Sequence, residues 1–280
     1  MESSVAALVL FSALLHAGWN ALLKVRGEPL VVLALISASA NAIALFTLPF
    51  LPLPPPVVWP FLGISVLFHT GYNVFLAQSY RHGDLGHVYP IARGTAPLIV
   101  AIASRIVVGE TLHPLTVVAV LLIAIGVISL AFGGERPIWE YPHPVLFALG
   151  TSFFVAAYTL VDGIAGRMVE NPHVYTLWLF SFLGFPISAL ALAKHRRSAI
   201  ALARERWKTG LLGGAMSIAA YGLIIWAMTV GNMAPVAALR ETSVIFAAVL
   251  AWVFLREPYG RLRLVAAAFV AAGAILLRIS

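Results

Sequence analysis

The sequence predicts an all-α integral membrane protein with ten transmembrane helices, arranged as two inverted five-helix repeats. Three observations lead to this fold class. Only 10% of the 280 residues are charged, against about 25% in a soluble domain, and 61% are hydrophobic. Long apolar stretches follow one another along the whole chain. A segment near the middle of the chain also returns, in altered form, near its end.

The spans follow from length and hydropathy. A transmembrane helix needs about 20 mostly apolar residues. Ten stretches meet or approach that length: 4–23, 30–50, 57–80, 88–108, 114–132, 144–166, 173–193, 208–230, 234–255 and 261–279. Prolines stand at many of the corners between them, where a missing backbone N–H costs little. The one long connection, Lys194–Lys208, places apolar residues among basic ones and predicts a helix lying on the membrane surface.

The internal repeat pairs Arg93–Leu130 with Arg240–Leu277. Laid on each other without a gap, 11 of the 38 positions are identical. Apolar composition explains the shared Ala, Val, Ile and Leu residues, but it explains the shared Arg93/Arg240 and Glu110/Glu257 much less easily. The sequence therefore indicates a duplication.

The duplication divides the chain into repeats at residues 1–134 and 144–280, with five spans each. Because five is odd, the two repeats cross the membrane in opposite directions. Inverted repeats of this kind are common in secondary transporters, whose substrate site lies near the midplane between the repeats. We expect the substrate site there.

Orientation is predicted from the distribution of Lys and Arg. On the side that holds both termini, three basic residues flank the spans, and on the opposite side there are 13. Cytoplasmic loops carry the excess of Lys and Arg. The count therefore predicts that both termini lie outside the cytoplasm.

Several motifs resemble those of the drug/metabolite transporter superfamily, EamA type. These are the opening SALLHAGWNALLK at Ser12–Lys24, the twin corners Gly109-Glu110 and Arg256-Glu257, and the ten duplicated spans. The resemblance covers nearly the whole chain. It implies a secondary transporter, usually an exporter of small metabolites such as amino acids, that works by alternating access. It also implies cytoplasmic termini, which conflicts with the charge count.

The composition and the resemblance together limit which molecules this protein is expected to interact with. We expect a monomer in the cell inner membrane, with a small-molecule substrate and the lipid bilayer as its partners. The net charge of +7 comes from residues that flank apolar spans, so lipid phosphate rather than nucleic acid is the expected partner. The chain has no cysteine, and its eight histidines lack metal-ligand spacing, so we expect no metal and no cofactor.

Polar side chains inside the spans are the candidate site residues, because polar groups are costly in hydrocarbon. In the first span Ser12, His16, Asn20 and Lys24 recur every four residues and form one winding stripe that should face the bundle interior. The alternative for such residues is helix–helix hydrogen bonding, worth about 0.6 kcal/mol per pair. The expected substrate-binding residues are His16, Trp19, Asn20, Tyr72, Asn73, Tyr89, Arg93, Tyr158, Tyr221, Trp226 and Arg240.

Charged residues within the spans are the most specific candidates. Arg93 and Arg240 lie about five or six residues into their spans, roughly 8 Å deep at 1.5 Å per residue. Either they reach back to the interface, or they hold a substrate carboxylate or phosphate in a fork. Glu241 follows Arg240 and points about 100° away from it. It therefore needs a proton, or an arginine such as Arg93 or Arg105, and we expect it to couple transport. Asp162 is a weaker candidate for coupling.

Two further expectations concern the corners of the chain. Glu110 and Glu257 each precede a helix, and we expect each to stabilise the positive end of that following helix. The cluster His82, Asp84 and His87 has the residue types needed for acid–base chemistry. It supports an alternative function, an integral membrane enzyme acting on lipid head groups. The repeat holds no second copy of this cluster, so we expect a transporter and not an enzyme.

Overall fold

The structure, a computed structural model, describes residues 1–22, 28–82, 85–133, 142–255 and 260–280. The side chains of residues 29, 80–87 and 251–255 also lie outside this description. Several sequence-based expectations therefore fall outside the described residues: those for the side chains of Lys24, His82, Asp84, His87 and Glu257.

The described residues are almost entirely helical, as the hydropathy predicted, and they include no strand. The helices are α1 Ser3–Leu22, α2 Pro29–Thr47, α3 Trp59–His82, α4 Leu85–Val107, α5 Pro114–Ser129, α6 Pro142–Gly166, α7 Pro172–Val230, α8 Met233–Arg240, α9 Ser243–Leu255 and α10 Arg261–Ile279. Short 3₁₀ turns cover Leu48–Phe50, Pro56–Val58 and Leu130–Gly133. Proline begins α2, α5, α6 and α7, where its missing N–H leaves no bond unmade.

Helix α7 accounts for two of the predicted spans. It has 59 residues, with non-helical backbone angles at His195 and Arg206. At 1.5 Å per residue it is about 90 Å long, far more than the roughly 30 Å of a bilayer core. The segment between the two kinks, residues 196–205, lies within the connection Lys194–Lys208 that was predicted to lie on the membrane surface. The described residues therefore supply nine apolar helices of spanning length, one of them long enough to cross twice.

The ninth predicted span, residues 234–255, is interrupted rather than continuous. Helix α8 ends at Arg240, and α9 begins at Ser243. Across the join the backbone N–H groups of Glu241, Thr242 and Val244 bond carbonyls three residues back, so the chain tightens into a 3₁₀-like turn. The Thr242 hydroxyl also donates to the Leu239 carbonyl at 2.8 Å, a bond that tends to bend helices. A broken helix inside the bundle is a usual feature of transporter binding sites.

Helices α5 and α10 cross in the way that two related repeats would. A Cβ added at Gly126 would lie 3.0 Å from the Ala266 carbonyl, and one at Gly273 would lie 2.8 Å from the Ala119 carbonyl. Gly126 corresponds to Gly273 in the sequence repeat, and Ala119 corresponds to Ala266. The same pair of contacts is therefore made twice, with the two halves exchanged. Helix α4 likewise packs on α6, and its counterpart α9 packs on α1.

The orientation can be tested at the 196–205 segment, where Ser198 is exposed. The charge count predicts that this segment faces the cytoplasm. A cysteine replacing Ser198 in this cysteine-free chain should react with an impermeant maleimide only after the cells are permeabilised. The matched control is a cysteine replacing the exposed Glu170, beyond the far end of α6, which should react in intact cells. The reverse pattern would mean that the termini are cytoplasmic.

Candidate functional site

One ion pair joins a buried charge of the first repeat to a buried charge of the second. Arg93 lies on α4, Glu241 lies at the break between α8 and α9, and each side chain is only 3% exposed. Nε of Arg93 and Oε2 of Glu241 are 2.8 Å apart. Neither atom is aligned for a hydrogen bond with any described residue, and Nη2 of Arg93 also lacks such a bond. The partner that Glu241 was expected to need is therefore Arg93; Arg105 is exposed.

Arg240 is buried as well, which excludes the expectation that it reaches back to the interface. Its residue is 6% exposed, and its guanidinium carbon lies 5.4 Å from the centre of the Tyr221 ring. Within the described part of the chain, no carboxylate lies within salt-bridge distance of it. Glu241 forms its salt bridge with Arg93 and not with the adjacent Arg240, as helical spacing predicted. An arginine buried beside an aromatic face has free N–H donors for an anionic ligand.

An aromatic cluster extends from Tyr221 across the bundle. Tyr158 on α6 lies 6.0 Å from Tyr221 and 5.9 Å from Tyr72, measured between ring centres. His69 on α3 stacks on Tyr158 with ring centres 3.9 Å apart. The cluster therefore joins α3, α6 and α7 beside Arg240. Tyr72, Tyr158 and Tyr221 were expected at the site.

Asp162 forms a second buried polar centre below the same tyrosines. It has no exposed surface. The Tyr175 hydroxyl donates to its Oδ1 at 2.7 Å, and the Tyr221 hydroxyl donates to its Oδ2. Ser65 on α3 is also buried, and its Oγ is 3.2 Å from Nδ1 of His69. Tyr221 thus touches Asp162 with its hydroxyl and faces Arg240 with its ring.

The remaining expected site residues differ in how close they come to these charges. Tyr89 and His16 lie within electrostatic reach of both Arg93 and Arg240. Trp19 packs edge-on against His16 with ring centres 5.1 Å apart. The side chain of Asn20 donates to the His16 carbonyl of its own helix at 2.8 Å. Ser12 donates to the Ala220 carbonyl at 2.7 Å, which is the helix–helix alternative.

Asn73 and Trp226 are not brought into the cluster by any observed contact. Neither side chain makes a hydrogen bond or ring contact with its members among the described residues. Trp226 packs against the apolar core, which also includes Tyr158 and Tyr221. Their place in the site stays a prediction.

Sequence and fold comparisons agree with this architecture. Residues 143–279 match the EamA-like transporter family. The chain is an EamA-like transporter. The family belongs to the drug/metabolite transporter superfamily, so the chain is a multi-pass membrane transporter. No curated protein matches it.

A crystal structure of another protein has the same fold. The two superpose with a TM-score of 0.75 over 99% of this chain and 98% of that one, at 20% sequence identity. That similarity extends through the first half of the EamA-like chain, which the family match does not reach. At this identity the similarity shows the fold alone.

The EamA-like chain also has an inter-repeat contact on the face that holds its termini, which we call the terminal latch (Glu110, Arg167, Met233). Gly109, with φ +77°, turns the chain so that Glu110 lies against the second repeat. Glu110 Oε1 pairs with Nη2 of Arg167 at 2.6 Å, and its Oε2 accepts from the Met233 N–H at 2.9 Å. Arg167 also donates to the carbonyls of Met228 and Gly231, each at 2.9 Å.

The terminal latch corrects the expectation for Glu110. The carboxylate stabilises the positive N-terminal end of a helix, as expected, but the helix is α8 of the other repeat and not the following α5. The N-terminus of α5 is capped by His113, whose side chain accepts from the Leu115 N–H at 3.3 Å. The position of Glu110 in the sequence could not show that it contacts α8. The chain turns between α4 and α5 so that the Glu110 side chain lies against the second repeat and not against α5.

Proposed function

We propose that this chain exports small polar metabolites, such as amino acids, by alternating access between residues 1–134 and residues 144–280. It acts as a monomer in the cell inner membrane. The main support for this proposal comes from Arg240. It is buried between the repeats beside a cluster of tyrosines, and it has no carboxylate partner among the described residues. Export is the direction usual for the family it belongs to.

Arg240 is suited to bind the substrate's anionic group. A guanidinium offers a planar fork that matches a carboxylate or phosphate. The rest of a small substrate would lie against Tyr221, Tyr158 and Tyr72, whose rings offer apolar faces and whose hydroxyls offer hydrogen bonds. His16 and Tyr89 complete the surroundings on the side of α1 and α4. We assign Trp19, Asn20, Asn73 and Trp226 to the periphery of the same site.

Glu241 is the proposed coupling residue. It neutralises Arg93 when no substrate is present. A substrate anion that contacts Arg93 competes with Glu241, and the released carboxylate then takes up a proton because an unpaired charge in hydrocarbon is costly. Because Glu241 lies at the break between α8 and α9, the exchange of partners also acts on the backbone that joins the two helices.

The substrate role of Arg240 can be tested with purified protein. Amino acids and other small carboxylates are screened by thermal shift, because a ligand of the folded state raises its apparent stability. Arg240→Gln should weaken binding of the best carboxylate roughly 30-fold, equivalent to about 2 kcal/mol for a buried charge pair. Arg240→Lys should recover part of the affinity, because it keeps the charge and loses the fork. Uptake into proteoliposomes should fall in the same order.

The matched control is Arg197→Gln, which removes an exposed arginine from the connecting segment of α7. It should leave both binding and transport unchanged. If Arg240→Gln folds and binds its carboxylate ligand as tightly as the control does, Arg240 is not the anion site and the proposed substrate class is wrong.

A further inference from the structure

Three buried carboxylates among the described residues have different partners. Glu110 is paired with Arg167, and Glu241 is paired with Arg93. Asp162 has no exposed surface, and it accepts hydrogen bonds from the hydroxyls of Tyr175 and Tyr221. No described cation lies within salt-bridge distance of Asp162. It is therefore the one of the three that is held by neutral donors.

Whether a carboxyl group can change its charge and keep its hydrogen bonds depends on whether its partners are arginines or hydroxyls. A guanidinium only donates hydrogen bonds, so a carboxyl group that gains a proton beside it leaves the arginine unneutralised. A hydroxyl donates to a carboxylate and accepts from a carboxylic acid. The Tyr175 and Tyr221 hydroxyls on Asp162 can satisfy either protonation state by rotating. Neither state leaves an unpaired polar group.

We propose that Asp162 is a proton-binding site that controls anion binding at Arg240 through Tyr221. The proposal rests on the proposed function, because it takes Arg240 as the anion site. Tyr221 connects the two, with its hydroxyl on Asp162 and its ring 5.4 Å from the Arg240 guanidinium carbon. Asp162 is a positioning residue in this scheme, since Tyr221 and Arg240 contact the substrate and Asp162 acts through them.

The sign of the linkage follows from charge. Ionised Asp162 partly neutralises the field at Arg240, so it competes with an incoming anion. A proton on Asp162 removes that competition, and the anion binds more tightly as pH falls. By reciprocity, anion binding draws a proton onto Asp162. Proton and anion then travel together.

Other titratable groups lie near Asp162 on the neighbouring helices. They are His69 on α3, Tyr175 and Tyr221 on α7, and Arg240 on α8. Tyr89 and Arg93 on α4 interact with Arg240. Arg93 is already neutralised by Glu241. His69 is partly buried, and its Nδ1 lies 3.2 Å from Ser65 Oγ.

Infrared difference spectra of the purified protein, taken between a high and a low pH, detect the proton directly. The wild type should show the carbonyl band of a protonated carboxylic acid, and Asp162→Asn should lack it. Glu205→Gln, which removes an exposed carboxylate, should keep the band. A band that persists in folded Asp162→Asn would overturn the proposal.

A second variant covers the case in which Asp162→Asn does not fold. Tyr221→Phe keeps the ring beside Arg240 and removes one donor to the carboxylate. Losing that donor disfavours the charged form, so the band should appear at a higher pH than in the wild type. An unchanged band in Tyr221→Phe would show that the acid is not Asp162.

Binding assays separate this proposal from the proposed function. In the wild type the affinity for the best carboxylate from the amino-acid screen should rise about tenfold as pH falls through the transition seen in the infrared spectra. In Asp162→Asn the affinity should stay high and lose its pH dependence. A wild-type pH dependence that survives in Asp162→Asn would overturn the linkage while Arg240 stands as the anion site. If no carboxylate binds and the infrared band is present, the proton site stands and the proposed substrate class fails.

Discussion

Glu241→Gln should lower the free energy of unfolding by about 3–5 kcal/mol, the usual cost of removing one partner from a buried ion pair. The variant keeps the size of the side chain but leaves Arg93 charged, 3% exposed and without its carboxylate. The loss should appear as low expression and a large fall in the thermal midpoint of the detergent-purified protein. Glu205→Gln removes a carboxylate that is 67% exposed and should change neither.

The double variant Arg93→Gln/Glu241→Gln identifies the cause. It removes both charges, so it should be more stable than Glu241→Gln alone, and the coupling energy of the cycle measures the pair. Folded Glu241→Gln that concentrates substrate with unchanged pH dependence would contradict both the ion pair and the coupling role. Folded Glu241→Gln that exchanges substrate but does not concentrate it would support the coupling role.

Glu110→Ala should open the protein on the face that holds the termini. It removes both contacts of the terminal latch, the ion pair with Arg167 and the cap on the N-terminus of α8. Because Arg167 is 29% exposed, the expected loss is that of charged hydrogen bonds, about 1.5–3 kcal/mol, rather than that of a fully buried pair. A cavity of about 510 Å³ lies on this face and is lined in part by Gly231, Pro235 and Val236 of the α8 region. A freed α8 would extend the cavity inward.

A cysteine replacing Ala237, which is 7% exposed on α8, reports this opening. Its reaction with a small thiol reagent should be slow in the otherwise wild-type chain and faster with Glu110→Ala. Arg167→Gln leaves Glu110 on the Met233 N–H, so it should have the smaller effect. The exchanged pair Glu110→Arg/Arg167→Glu restores opposite charges but places a cation at the N-terminus of α8, so it should not restore the slow reaction. Equal labelling rates in all variants would show that these contacts do not hold α8.

The helical membrane fold could be predicted because it depends on local properties. Hydropathy gave the spans, and the shared Arg93/Arg240 pointed to two deep positions that the structure brings between the repeats. Even the partner of Glu241 could be narrowed to two arginines, because a carboxylate in hydrocarbon requires a cation or a proton.

The features that could not be predicted from the sequence depend on packing between helices that are distant in the chain. Tyr175 reaches Asp162 from another helix, and nothing in the spacing of a single apolar span distinguishes it from a packing residue. The break after Arg240 was missed for a similar reason. Its repeat mate Arg93 lies in the unbroken α4, and the hydropathy of residues 234–255 is continuous.

Because Arg93 pairs with Glu241, which is synthesised later, Arg93 has no partner in the membrane during part of synthesis. The first half of the chain enters the membrane with Arg93 and Glu110 in or near hydrocarbon, and their partners are all in the second half. Glu241, which neutralises Arg93, is made only after the first repeat is complete. A chain that stops at the middle would keep both charges unpaired in lipid. These unpaired charges distinguish a truncated chain from the folded protein. Quality-control proteases should therefore degrade the truncated chain selectively.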